Sequence, residues 1–337
     1  MSLRDAIRRL ADGKDLTEEA AREAFLELME GGAATDAQKG ALLLGLAARG
    51  ETAAEVAGAV SALRARMTGV TTKRKPLLDT CGTGGDGAGT FNISTAAAFV
   101  CAGAGAAVAK HGNRAVSSRC GSADVLEELG VPLESTREAA AADLDSRGFA
   151  FLFAPAFHPA VRGVAEVRRQ LGVRTIFNLI GPLANPARPD RQIIGVGRFE
   201  VAHLLAEAMA LLGIERAIVF HGENGLDELT PGVPAIGFEV RGARMTPWRF
   251  DPGVLAQRSV SRDELLGGDA ADNASTLRRL LDGEPGAVRE TVLLNSALAL
   301  WVSGAAATLH DAYDAASESI DRGLAAAVLE GSKRGRP

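Results

Sequence analysis

The stretch Leu77-Leu78-Asp79-Thr80-Cys81-Gly82-Thr83-Gly84-Gly85-Asp86, continued by Thr90-Phe91-Asn92-Ile93-Ser94-Thr95, sets a short apolar run, a glycine-dense loop and an alanine-rich segment in direct succession. Four glycines fall within residues 82–87, and residues 94–105 have the composition of a helix. The order is strand, loop, helix. Glycine lets backbone N–H groups converge on an oxyanion, and a helix start turns the positive end of its dipole toward the loop. Asn92 and Ser94 are placed to satisfy the unpaired donors of that helix start. The loop reads as a phosphate cradle.

The charge pattern points the same way. No Asp or Glu occurs between Asp86 and Asp124, although the chain carries a net charge of -5. Within that gap lie Lys110, Arg114 and Arg119, the first two in the run Lys110-His111-Gly112-Asn113-Arg114. Carboxylates cleared from around a glycine loop suit a polyanion such as a diphosphate. A buried α/β segment with a few solvated cations would show the same gap, so the gap alone weighs the two readings equally.

Working outward, residues 1–70 read as helices throughout, over 3–11, 17–30, 35–49 and 52–67. Leu26, Met29, Leu42, Leu43, Leu44 and Leu46 supply apolar faces, and Gly31-Gly32 stops the second helix. So small a helical layer must rest on something else, and Val60, Leu63 and Met67 form a stripe for that purpose. The polar, basic run over residues 71–76 reads as a connection. Beyond it, Leu77 and Leu78 read as the end of a short buried strand, and strand-like runs at 106–109, 149–153, 192–196 and 216–220 alternate with helical patterns at 136–147, 159–171, 201–212 and 270–281. That alternation implies a mostly parallel sheet flanked by helices. The expected fold class is therefore α/β: a small all-helical N-terminal domain over 1–72, with helices within 160–185 as candidates to join it, and a larger α/β domain over 73–337.

Composition narrows the classes of function. At 337 residues the chain has room for two unequal domains, and 47% hydrophobic with 23% charged residues is ordinary for a globular protein. The N-terminus lacks the continuous apolar segment of a signal peptide and no window reaches the length of a membrane span, so a cytoplasmic protein without a membrane partner is expected. An acidic balance without a dense basic stripe and interleaved aromatics argues against nucleic acid. Cys81, Cys101 and Cys120 show neither C-x-x-C spacing nor an even count, which disfavours a disulfide framework or a zinc site. Cys81 has no partnered base in the sequence and is assigned no chemistry.

Two familiar phosphate sites fit poorly. Gly82, Gly84 and Gly87 satisfy G-x-G-x-x-G, but a dinucleotide fold wants an acidic residue about twenty positions further on, where this stretch has none. The Walker pattern fails because no Gly-Lys-Ser/Thr follows the glycines.

The ordered set of motifs resembles the anthranilate phosphoribosyltransferase family. The likeness runs through residues 79–86, Asn92-Ile93-Ser94-Thr95, residues 110–118, residues 121–127, residues 167–175, residues 178–186 and Gly225-Leu226-Asp227-Glu228, nearly the whole chain. It implies a nucleoside phosphorylase/phosphoribosyltransferase-like fold and transfer of the phosphoribosyl group of 5-phosphoribosyl 1-diphosphate to the amine of anthranilate, in L-tryptophan biosynthesis, with release of diphosphate. By the same resemblance Gly82, Gly85, Asp86 and Thr90 line the donor site, and Asn92, Ile93, Ser94 and Thr95 hold its phosphates. Lys110, His111, Gly112, Asn113, Arg114, Ala115, Val116, Ser117 and Ser118, with Ser122, complete the cradle. Asn113 and Arg168 contact anthranilate, while Ser94, Asp227 and Glu228 bind Mg2+. The resemblance also implies a homodimer formed through the helical domain. No residue is assigned as an acid, base or nucleophile; Lys110 and Arg168 are expected to matter most.

Each assignment has a plainer reading beside it. Arg168 sits next to Arg169 on a polar helix face, where most arginines are simply solvated. Asp227-Glu228 follows a turn, where adjacent acids commonly face solvent. His111 and His158 have no visible partner, and His203, His221 and His310 match no metal spacing. A pyrimidine nucleoside phosphorylase of the same broad fold is the nearest enzymatic rival, with Arg168 and the Asp227-Glu228 pair arguing against it. A non-catalytic nucleic-acid-binding relative is the rival from another class.

Overall fold

The computed structural model describes residues 1–115, 119–256 and 258–333. Four helices open the chain: α1 (Leu3–Ala11), α2 (Glu18–Met29), α3 (Asp36–Arg49) and α4 (Ala53–Arg66). Their starts follow from short polar residues in extended conformation. Ser2, Thr17, Thr35 and Thr52 each accept a backbone N–H of the first turn, and Thr35 with Gln38 and Thr52 with Glu55 close reciprocal capping boxes. Gly58 lets α4 press onto α2, since a Cβ there would collide with the Glu18 carbonyl.

The remaining elements are β1 (Leu77–Asp79), α5 (Ile93–Gly103), β2 (Ala107–Gly112), α6 (Ser122–Glu128), α7 (Arg137–Arg147), β3 (Phe149–Phe153), α8 (Ala154–Phe157), α9 (Arg162–Leu171), α10 (Phe177–Ile180) and β4 (Arg191–Gly195). They continue through α11 (Phe199–Leu211), β5 (Arg216–Gly222), β6 (Ala235–Arg241), β7 (Arg244–Phe250), α12 (Ala270–Leu281), α13 (Ala287–Ser303), α14 (Leu309–Asp321) and α15 (Leu324–Lys333). The strands form one sheet in the order β3-β2-β1-β4-β5-β6-β7. β3, β2, β1, β4 and β5 are parallel, and β6 and β7 return antiparallel on one edge. The expected mostly parallel α/β sheet beside a helical layer is what the chain forms. The β6–β7 hairpin is an addition that the sequence reading does not anticipate.

Successive strand residues point to opposite faces, and here both faces are covered. Leu78, Val108, Ile193, Ile218 and Phe220 enter a core with α5 and α13, whereas Ile194, Val196, Ala217 and Val219 enter one shared with α11 and the N-terminal helices. Val60 and Leu63 lie in this second core, so the helical layer rests on the α/β body through α4 and α11. α9 packs on α3, and the Lys39 ammonium reaches the Gly163 carbonyl at 2.9 Å. Consecutive strands run outward from β1 in both directions, β2 and β3 one way and β4 and β5 the other. The crevice at that reversal, over the carboxyl ends of the strands, is where open α/β sheets bind ligands.

Candidate active site

The glycine loop leaves the carboxyl end of β1, the central strand at the reversal, and is held at both ends. Thr83 N–H donates to Gly195 O at 3.1 Å, Arg262 Nη2 donates to Gly87 O at 2.9 Å, and Phe91 N–H donates to Leu265 O at 2.8 Å. Between these anchors Gly84, Gly85 and Gly87 adopt positive φ of 61°, 76° and 71°, where a side chain would be strained. Among the described residues the backbone N–H groups of Gly82, Gly84, Gly85, Asp86 and Gly87 have no hydrogen-bond partner. An exposed row of unpaired amides is what an anion needs.

Two further glycines close the site from β4. A Cβ at Gly195 would collide with the Asp227 carbonyl, and one at Gly197 would sit 3.0 Å from Asp86 Cα. The missing side chains bring Asp86 and the acidic turn after β5 together, and neither position stands out in the sequence. Asp86 Oδ1 accepts Ala88 N–H at 2.9 Å, while its Oδ2 is buried without a well-formed hydrogen bond among the described residues and the carboxyl lies against that of Asp227.

The Asp227-Glu228 pair does not face open solvent, as loop acids usually do. Burial, followed by the charges of Glu228 and Asp86, holds the Asp227 carboxyl well above the usual carboxylate range. Glu228 is pushed up to about 8, chiefly by burial, against the pull of Lys110 and the Ser94 N–H. Lys110 is itself 2% exposed, with Nζ 3.4 Å from Ser94 Oγ. Crowded carboxyls that ionise reluctantly beside one ammonium and unpaired amides fit a hard cation. Among the described residues no three His, Cys, Asp or Glu side chains converge tightly enough to hold a metal alone. Mg2+ fits that shortage, because it is commonly held by one or two carboxylates and completes its shell with water and phosphate oxygens.

The helix start departs from expectation. α5 begins at Ile93, and Asn92 makes no capping bond; its Nδ2 donates to Cys120 O at 3.2 Å and its Oδ1 accepts from Asn273 at 2.9 Å. The N–H of Ser94 goes instead to Glu228 Oε1 at 3.1 Å. A long-range carboxylate thus does what the sequence assigns to a local cap. Thr95 is buried with its hydroxyl unpaired, Ile93 is core, and Thr90 bridges to Leu266 at the end of the loop.

On the other side of β1, β2 ends with Lys110, His111 and Gly112 inside the strand, longer than the run 106–109 read from sequence. Gly112 is bare because Ser122 Oγ occupies the place of its side chain, and that hydroxyl donates to Asn113 O at 3.2 Å. Asn113 is exposed, and Ala115 N–H is held by Asp124 at 2.9 Å. Arg114 forks onto Glu127 at 2.7 and 2.9 Å and reaches Asp124 at 3.1 Å, so its charge is already balanced. Val116, Ser117 and Ser118 lie outside the described residues. Asp79, to which the sequence reading gives no separate role, ties the cradle together: its carboxylate accepts N–H groups of Cys81 and His111 and the Asn185 amide at 2.8 Å, and burial raises it to about 6. The Cys81 thiol is pushed up to about 12 by burial and Asp79, which removes it as a nucleophile.

Arg168 stands in the last turn of α9, half-buried, with its guanidinium 5.0 Å over the Phe177 ring and no carboxylate partner among the described residues. Burial lowers its pKa, so an anion there would be welcome. His111 and His158 pair with ring centroids 5.2 Å apart. His111 Nδ1 meets Gly181 O at 3.0 Å, while among the described residues His111 Nε2 and both His158 nitrogens are buried without a well-formed hydrogen bond, the Ala184 backbone lying beside the His158 ring. Burial first, then mutual repulsion, pushes His111 down to about 3, and burial pushes His158 to about 4, so both are neutral. His158 is a site residue the sequence reading leaves unassigned, since nothing local marks its contact with His111.

Comparison with known proteins gives the family. The glycosyl transferase family helical bundle domain matches residues 4–67, and the glycosyl transferase family a/b domain matches residues 74–326. The anthranilate phosphoribosyltransferase of Roseiflexus castenholzii is 50% identical over 98% of this chain and 97% of that protein. The crystal structure of the anthranilate phosphoribosyltransferase from Thermus thermophilus superposes with a TM-score of 0.91 at 42% identity, covering 98% of each chain. That of the Saccharomyces cerevisiae enzyme, in complex with PRPP and Mg, superposes with a TM-score of 0.88 at 25% identity, covering 98% of this chain and 97% of that one. With half its residues shared over nearly its full length, the chain belongs to the anthranilate phosphoribosyltransferases, pentosyl-transferring enzymes of the glycosyl transferase family.

Proposed function

We propose that the cleft over the carboxyl ends of β1, β2, β4 and β5 transfers the phosphoribosyl group of 5-phosphoribosyl 1-diphosphate to the anthranilate amine, in tryptophan biosynthesis. The observation that carries this is the set of amides at Gly82, Gly84, Gly85, Asp86 and Gly87, unpaired among the described residues, on the loop whose Asp86 crowds Asp227 and Glu228. The amides of Gly82, Gly85 and Asp86 hold the diphosphate, with Thr90 and the start of α5 from Asn92 to Thr95 as its further wall. Lys110, buried and with one long hydrogen bond, to Ser94, among the described residues, offers its remaining ammonium hydrogens to the same anion. Ser94, Asp227 and Glu228 are the residues that would hold Mg2+. When bound, the ion supplies charge neutralisation for the departing diphosphate.

The protein's own task is electrostatic and positional. Loss of diphosphate leaves positive charge on the ribose ring, and an aromatic amine is neutral and nucleophilic at pH 7, so no strong base is required. Arg168 forks onto the anthranilate carboxylate and aims the amine. Asn113 and the orphaned nitrogens of His111 and His158 offer polar contacts without adding charge. Arg114, spent on Glu127 and Asp124, shapes the 113–115 turn rather than binding phosphate by charge.

Residues 1–72 act as the acceptor-side and dimerising domain and residues 73–337 as the donor-binding domain, and the chain works as a cytoplasmic homodimer. No described helix is long and apolar enough to cross a membrane. Purified protein mixed with magnesium, phosphoribosyl diphosphate and anthranilate should consume anthranilate fluorescence. Uracil and thymidine with phosphate serve as rival substrates, and turnover of those alone would overturn the assignment. Sedimentation at working concentration tests the dimer.

A further inference from the structure

Arg174 is the one cation that touches the described glycine loop from the acceptor side. It lies two residues past Gly172, the left-handed residue (φ 64°) that ends α9, and six residues past Arg168. Its guanidinium lies against Gly85: a Cβ on that glycine would sit 2.8 Å from Nη2 and 3.3 Å from Cζ. Gly85 is thus bare for two reasons, its φ of 76° and this contact. The only hydrogen bond of the Arg174 side chain among the described residues is a long one, Nη1 to Gly85 O at 3.4 Å, and it has no carboxylate partner.

An exposed guanidinium with five N–H donors, resting on one neutral carbonyl beside a row of unpaired amides, is a cation without its anion. Arg262 on the same loop differs, since its bond to Gly87 O is 2.9 Å and it sits with the loop's distal anchor. At 3.4 Å the contact with Gly85 O is long, whereas a guanidinium bound to ionised phosphate oxygens makes short bonds of about 2.7–2.9 Å, often two in parallel. A diphosphate accepting the Gly85 and Asp86 amides would lie within one guanidinium's reach and outcompete the Gly85 carbonyl.

We infer that Arg174 is a donor-binding residue for the phosphoribosyl transfer, its guanidinium leaving Gly85 O for the diphosphate and so selecting a diphosphate over a single phosphate. The inference rests on the glycine loop being the donor's diphosphate site.

The test is calorimetric binding of inorganic diphosphate with Mg2+, and separately of anthranilate, to the full-length protein and to R174Q, R174A and R174K. Gln keeps a donor for Gly85 O and loses only the charge, so it separates a structural tether from an ionic contact. The expected result is diphosphate binding about tenfold or more weaker in R174Q and R174A, within about threefold of the parent in R174K, and anthranilate binding unchanged in all three. Steady-state rates should follow, with the donor KM raised and the anthranilate KM constant. Diphosphate binding by R174Q equal to the parent overturns the Arg174 inference alone. Failure of the parent to bind diphosphate overturns the loop assignment and this inference with it. Equal weakening of diphosphate and anthranilate in R174Q marks a general loss of the site and also defeats it.

Discussion

The Glu228 carboxylate accepts the backbone N–H of Ser94 at 3.1 Å, fastening the acidic turn after β5 to the first turn of α5. The two residues are 134 positions apart, and the bond sets the carboxyl oxygens proposed to hold Mg2+ against the helix start proposed to hold phosphate. Both ends are half-buried, and desolvation makes the Glu228 carboxyl reluctant to ionise without a cation beside it.

Replacing Glu228 by Gln therefore has opposite effects on stability and turnover. The amide oxygen still accepts the Ser94 N–H, and Gln has no carboxylate that must take up a proton on folding, a cost the parent bears at neutral pH. The ligand-free variant should melt a few degrees higher than the parent, while magnesium-dependent turnover falls about 10²-fold, the scale of losing one preorganised electrostatic group. Scanning calorimetry and the fluorescence assay read the two effects.

Metal uptake should release protons. With Glu228 raised to about 8, the folded protein keeps a proton that the unfolded chain has already lost above its ordinary value of 4.5. The stability this contributes is complete below 4.5 and lost as pH rises through about 8, so the ligand-free protein should soften across that window. Binding of magnesium diphosphate should strengthen from pH 6.5 to about 8.5 and then level off. Calorimetry in two buffers of different ionisation heat counts the protons.

The histidine pair should titrate in the opposite sense. His111 at about 3 and His158 at about 4 are depressed, so the stability of keeping them neutral is present above 6.5 and lost as pH falls toward 4. Ring nitrogen chemical shifts should show both imidazoles neutral at pH 5.5. Anthranilate binding should stay flat from pH 5.5 to 8.

Arg168→Ala should raise the anthranilate KM about 10- to 100-fold with little change in the donor KM, since it removes the fork proposed for the acceptor carboxylate. Arg168→Lys should recover little, because an ammonium neither forks nor stacks on Phe177 as a planar group does.

Gly195→Ala tests the close approach of β4 to the acidic turn. The added methyl would collide with the Asp227 carbonyl, and the displacement should cost about 1–3 kcal/mol in denaturant unfolding. Turnover should fall further than stability does, because Asp227 moves with the clash.

The amino-acid order alone disclosed the strand, loop and helix around Gly82–Asp86, the four N-terminal helices and the mostly parallel sheet, because glycine density, polar caps and apolar periodicity act over a few neighbouring residues. Element ends moved by a few positions, as where β2 runs on through Lys110, His111 and Gly112, since pairing with β3 extends a strand past its apolar run. The hairpin β6–β7 escaped notice because its signal is weaker than that of the buried parallel strands.

What three-dimensional packing decided was how those pieces act on one another. Only the folded chain turns Asp227-Glu228 from a surface pair into reluctant acids, gives Ser94 its partner in place of a cap by Asn92, spends Arg114 on Glu127 and leaves Arg174 without a counterion among the described residues. Charge state and pairing depend on burial and on groups far away in sequence, brought near by bare positions such as Gly195 and Gly197. A linear pattern holds donor and acceptor types; their desolvation and partners exist only once the sheet has closed over them.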